Sequence, residues 1–155
     1  NIAKPMIALE YGADSYNAQT QKPDEASQAR YLISLWKDLR RNTTMETASG
    51  KALGGFVYEW VDQWWRADAQ NAASWKVQDT QAQWSSAAYA YDYGAKDHLN
   101  VNEEWFGLNK IIPNPKNPNA LITAPKLALT GLAPLWNQPG NLSREALGIP
   151  SRSES

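Results

Sequence analysis

Lys4-Pro5-Met6-Ile7-Ala8-Leu9-Glu10-Tyr11-Gly12 runs a short apolar stretch into one carboxylate, an aromatic and a glycine. Residues 5 to 10 are too few for a helix and too continuously apolar for a half-solvated strand. They read as a strand buried on both faces, as in a parallel sheet. An acid at the C-terminal end of such a strand is a candidate catalytic group, so Glu10 is the first residue of interest. The loop that follows, to about Pro23, is rich in Gly, Asp, Ser, Asn and Gln. Asp24 is a suitable N-cap and Glu25 suits the first turn, while Ala29, Leu32, Ile33, Trp36 and Leu39 recur at helical spacing. Lys37, Arg40 and Arg41 complement the dipole at the far end. A helix is therefore expected from Asp24 to Arg41. A polar connection from Asn42 to Lys51 then leads to a second strand, Leu53-Gly54-Gly55-Phe56-Val57-Tyr58. Strand, helix, strand in that order makes a right-handed βαβ unit of a parallel sheet.

Beyond Trp60 a long stretch reaches to Glu104 with little periodicity and many Trp, Tyr, Ala, Gln and Asp residues. Its tryptophan density argues for an ordered active-site loop. Trp105-Phe106-Gly107-Leu108-Asn109 then returns the chain to the sheet, and Pro113 to Pro118 reads as a connector. A last helix is expected from near Thr123 to Trp136, with Pro125 in its first turn and Leu127, Leu129, Leu132 and Leu135 on its apolar side. These segments group into one domain over residues 1–140, with the loop at about 60–104, and a polar tail over 141–155.

Composition narrows the functional classes. Fifteen Lys and Arg against 16 Asp and Glu leave a net charge of -1, which offers no surface for nucleic acid. With no cysteine, disulfides, thiolate metal sites and a cysteine nucleophile are excluded, while the compartment stays open, a secreted, periplasmic or cell-surface location being slightly favoured. No apolar run approaches the roughly 20 residues of a membrane span, so a soluble chain is expected. The start at Asn1-Ile2-Ala3, directly before a strand, suggests a polypeptide that extends upstream. The aromatic residues are 8 Trp and 7 Tyr against 2 Phe. Flat apolar faces with polar edges suit stacking on sugar rings.

Together, Lys4-Pro5 through Glu10-Tyr11-Gly12 and Gly54-Gly55-Phe56-Val57-Tyr58-Glu59-Trp60-Val61-Asp62-Gln63 resemble the seventh and eighth strands of the catalytic (β/α)₈ barrel of glycoside hydrolase family 2. The likeness covers roughly Ala3 to Leu108, and Trp105-Phe106-Gly107-Leu108-Asn109 is also similar to a segment of cell-wall beta-1,3-glucan transferases of the same clan. It implies an α/β fold, the C-terminal portion of a TIM barrel. It also implies a retaining glycosidase for beta-linked glycans, a transglycosylase being the alternative. In that chemistry Glu10 is the nucleophile, and a second carboxyl group stands about 5 to 5.5 Å away as acid and base. The family supplies that partner as Asn-Glu on the fourth strand, which this chain lacks, so it would come from sequence outside the chain together with the remaining barrel segments. Asn102-Glu103 has the same letters in the wrong place. Tyr58 stands where the family often has the tryptophan beneath the sugar, and Ala13-Asp14-Ser15 replaces a histidine-containing run of the beta-galactosidases.

On this reading Tyr11, Tyr58, Glu59, Trp60, Asp62, Trp64, Trp65 and Trp105 are candidate substrate-binding residues, and no metal or cofactor is expected. Bland alternatives stand beside them. Glu10 could pair with an arginine, Glu59 could form a structural ion pair, and half or more of the tryptophans could pack as local core under the loop. Asp68, Asp79, Asp92 and Asp97 lack the spacing of a calcium loop, and His98 has no partners for a metal site or a triad. A carbohydrate-binding module, stacking sugar without chemistry, is a reading from another class; it requires an all-β sandwich.

Overall fold

A computed structural model describes residues 4–17, 20–66, 77, 78, 80 and 103–138. The elements are β1 (Met6–Tyr11), β2 (Tyr16–Asn17), β3 (Lys22–Pro23), α1 (Glu25–Arg41), β4 (Ala52–Val57), β5 (Asn109–Asn114), β6 (Asn117–Pro125) and α2 (Leu127–Trp136), with a 3-10 turn at Glu103–Trp105. The architecture is mixed α/β, with three two-stranded sheets: β1 parallel to β4, β2 antiparallel to β3, and β5 antiparallel to β6.

The expected strand, helix and strand are present. Asp24 caps α1, accepting from the Ser27 N–H at 3.0 Å, an arrangement that contributes about 1 kcal/mol. The helix's apolar stripe meets α2: Leu32, Leu108, Ala128 and Leu132 form the buried core, with Tyr11, Ala29, Ile33, Trp36, Val57 and Leu129 packed around it. Glu25 ties three elements together, taking Lys110 Nζ at 2.7 Å and the Leu127 N–H at 3.0 Å.

The β1–β4 pair is covered on the α1 side only. Ile7, Leu9, Leu53 and Phe56 remain 43%, 72%, 66% and 61% exposed. Parallel sheets are ordinarily covered on both faces, so this pair presents an uncovered apolar face among the described residues.

The region after Leu108 differs from expectation. The connector expected at Pro113 to Pro118 is the turn of a hairpin, with Ile111 opposite Thr123 and Ile112 opposite Ile122. The last helix begins at Leu127, because Thr123 to Pro125 complete β6. The prolines are compatible with strands here because a two-stranded hairpin has edges where a missing N–H costs no ladder bond. Among the described residues no helix is long and apolar enough to cross a membrane. Most of the long loop, Asn102 of the Asn-Glu pair, Asp68, Asp79, Asp92, Asp97, His98 and the 141–155 tail lie outside the described residues.

Candidate functional site

Because β1 and β4 run parallel, their C-terminal ends open on the same edge, with Glu10 and Tyr11 ending one strand and Tyr58 and Glu59 following the other. The Tyr58 N–H donates to the Tyr11 carbonyl at 2.8 Å and keeps the two ends together. The register pairs Ala8 with Gly55 and Tyr11 with Val57, so β1 inserts an extra residue at Leu9–Glu10. Irregularities of this bulge type re-aim side chains and cluster beside functional sites. Glu10 is exposed, and among the described residues no basic group pairs with it.

Tyr58 is held from several sides. Its ring meets Phe106 edge-on, with centroids 5.9 Å apart, and its hydroxyl donates to Glu103 Oε2 over a long 3.4 Å. Arg66 Nε donates to the same Glu103 oxygen. Burial, together with the nearby Glu59 and Glu103 carboxyls, pushes the Tyr58 phenol up to about 12. Glu59 is 8% exposed and its Oε1 has no hydrogen-bond partner among the described residues. Burial first, then the Asp62 and Glu103 carboxylates, push it up to about 8, against the opposing pull of Arg66 and Lys126.

Beneath this edge lies a buried polar network. Lys126 Nζ donates to Asp62 Oδ1 at 2.6 Å, Ser15 Oγ at 2.8 Å and the Trp105 carbonyl at 3.0 Å, which uses all its protons. Asp62 is fully buried and also accepts from the Gly107 N–H at 2.9 Å and Gln78 Nε2 at 3.1 Å. Burial pushes the Asp62 carboxyl up and the Lys126 ammonium down, each shift opposed by the partner's charge. Gln28 Nε2 lies within 2.9 to 3.3 Å of the Ala13, Trp105, Phe106 and Gly107 carbonyls. This network ties the Trp105–Gly107 segment to Ser15, to Gln28 of α1, to Asp62 and to Lys126.

The candidates thus separate. Trp60 and Trp65 are 64% and 42% exposed, whereas Trp64 keeps a buried indole N–H without a partner among the described residues. Tyr11 packs against the helix-facing core, and burial raises its phenol. Trp105 is buried against Tyr16, with centroids 4.8 Å apart. Asp62 belongs to the network and has no exposed surface. Ser15, Gln28 and Lys126 escaped sequence reading. A signal existed for Gln28, which stands four residues before Leu32 on the apolar stripe of α1.

Among the described residues no cluster of three acids or histidines could hold a metal ion. A cavity of about 420 Å³, lined by Met6, Ala8, Tyr11, Leu35, Leu39 and Ala52 among others, lies between β1 and α1 and includes neither Glu10 nor Tyr58. Comparison of the chain with protein-family models, curated proteins and solved structures finds no match.

Proposed function

We propose that the chain forms the C-terminal portion of a (β/α)₈ barrel, about its last two strand–helix units, in a retaining glycosidase acting on beta-linked glycans. The observation that carries this reading is the parallel β1–β4 register, which brings the Glu10 and Tyr58 ends to one edge, where Glu10 is exposed and without a basic partner among the described residues. The uncovered Ile7, Leu9, Leu53 and Phe56 face supports it as well, since further strands would bury that surface.

In this mechanism a Glu10 carboxylate oxygen attacks the anomeric carbon. The C–O bond to the leaving sugar breaks, and that oxygen takes a proton from a carboxylic acid supplied by sequence outside the chain. The same group, now a carboxylate, deprotonates the water that cleaves the glycosyl ester and restores Glu10. Tyr58 forms the stacking wall of the reactive subsite, and the exposed Trp60 and Trp65 are surfaces for neighbouring sugars. Transglycosylation differs only in placing a sugar hydroxyl where water enters. A binding module of sandwich type is disfavoured by the two helices and the parallel pair.

The test is Glu10→Gln in the polypeptide that carries the whole barrel. Turnover is expected to fall below detection with an unchanged circular dichroism spectrum; near-normal activity would remove Glu10 from the nucleophile's role.

A further inference from the structure

Glu103 is the acid that sequence reading set aside, standing in the 3-10 turn far along the chain from β4. Its side chain nonetheless reaches the Tyr58 hydroxyl, and Arg66 fastens to the oxygen that faces the phenol. The residue is 9% exposed. An isolated carboxylate so deeply placed would be costly, but the guanidinium compensates it and holds the acceptor in one position. Tyr58 is then restrained at its backbone by Tyr11, at its ring edge by Phe106 and at its hydroxyl by Glu103. A tryptophan at this position would need no partner at that point; a tyrosine brings a hydroxyl that does.

We infer that Glu103, clamped by Arg66, is a positioning residue that holds the Tyr58 ring in a fixed orientation at the edge shared by β1 and β4. The clamp stands on the contacts themselves. Its consequence, that Tyr58 presents a preformed wall to a sugar, rests on the glycosidase reading. A wall ordered before binding spares the complex the cost of immobilising that side chain. The 3.4 Å phenol contact leaves room to shorten toward the usual 2.7 to 2.8 Å when a ligand presses on the ring.

Among the described residues the charged groups acting on the phenol are Glu59, Glu103 and Arg66, which gives the test a sign. The chain is labelled with ¹³C at the tyrosine ring carbons, and the Tyr58 signal is assigned by its loss in Tyr58→Phe. In Glu103→Gln the Tyr58 midpoint is expected to fall from about 12 toward the ordinary 10.0, and the nuclear Overhauser effects between the Tyr58 and Phe106 rings to weaken as the edge-on contact loosens. In Arg66→Gln the carboxylate stays while the opposing cation is lost, so less phenolate is expected at pH 12 than in the native chain. Opposite shifts from two neighbouring substitutions mark a specific clamp, whereas general loosening would move both toward 10.0. A Tyr58 midpoint or Tyr58–Phe106 Overhauser effects unchanged in Glu103→Gln overturn the inference, and so do shifts of the same sign in both variants. Should Glu103→Gln fail to fold, the Arg66→Gln result decides alone, an unchanged or lowered midpoint being contrary. None of these readouts involves sugar, so a clamp that passes them while Glu10→Gln keeps near-normal activity in the whole-barrel polypeptide refutes the glycosidase reading and leaves the clamp intact.

Discussion

The N–H of Tyr58 donates to the carbonyl of Tyr11 at 2.8 Å, one residue past Glu10 on a strand that runs parallel to the one Tyr58 leaves. That bond holds the strand ends that carry Glu10 and Tyr58 together at one edge although 48 positions of sequence separate the two residues. A parallel pairing does this for any two strand ends; the particular residues give the edge its chemistry.

Gly12 follows immediately, and its missing side chain is part of the same contact. A Cβ there would stand 2.1 Å from the Tyr58 carbonyl oxygen and 2.9 Å from the Phe106 ring. Gly12→Ala is therefore expected to push β1 and β4 apart at the site and to cost about 1–3 kcal/mol or more in urea denaturation. A change below about 0.5 kcal/mol, the range of an ordinary surface substitution, would contradict the close approach.

The Lys126–Asp62 pair carries a second prediction. Neither side chain is more than 1% exposed, so Lys126→Met strands a buried carboxylate and is expected to destabilise the chain by about 3–5 kcal/mol. Adding Asp62→Asn should recover part of that loss, because the stranded charge is gone. A double variant less stable than Lys126→Met would show that Asp62 matters for its bonds to Gly107 and Gln78 rather than for the ion pair.

Gln28 shares the two protons of its Nε2 among four carbonyls from two separate segments. Gln28→Leu leaves those carbonyls to compete for fewer donors and is expected to cost about 1–3 kcal/mol. Backbone amide exchange should quicken over Trp105 to Leu108 before it changes in α2. Uniform quickening across the chain would mean that Gln28 supports the fold generally rather than this segment.

Glu59 sets a pH dependence of definite sign. Its carboxyl has an ordinary value of 4.5 and is raised to about 8 in the fold, so between those values the folded chain holds a proton that the unfolded chain has released. The stability from this group is fully present below about 4.5 and is lost as pH rises through about 8. Urea midpoints measured from pH 4 to 9 for the native chain and for Glu59→Gln should diverge upward in that window, the variant being the more stable at pH 9. Parallel curves would place Glu59 in water.

How much of this was readable in advance follows from which forces are local. The Met6–Tyr11 strand, the helix capped by Asp24 and the strand ending at Val57 were legible because apolar runs, a cap and helical spacing lie within each segment. The β5–β6 hairpin was not: Pro113, Pro115 and Pro118 signal a connector, and only cross-strand pairing such as Ile112 with Ile122 overrides them. Glu10 and Tyr58 could be chosen from motif, but Lys126, Ser15 and Glu103 could not, since their partners lie 64, 111 and 45 positions away. The motif points to Asp62 but not to its burial, which goes with a lysine 64 positions away.

On the proposed glycosidase reading, Glu10 forms the covalent bond to sugar. The polypeptide carrying the whole barrel is incubated with 2-deoxy-2-fluoro-beta-glucosyl and -galactosyl fluorides, whose leaving group needs no acid, and its peptides are mapped by mass spectrometry. One fluoroglycosyl adduct is expected, on Glu10, and none in Glu10→Gln. An adduct on any other carboxylate, or inactivation of Glu10→Gln at the native rate, would contradict it.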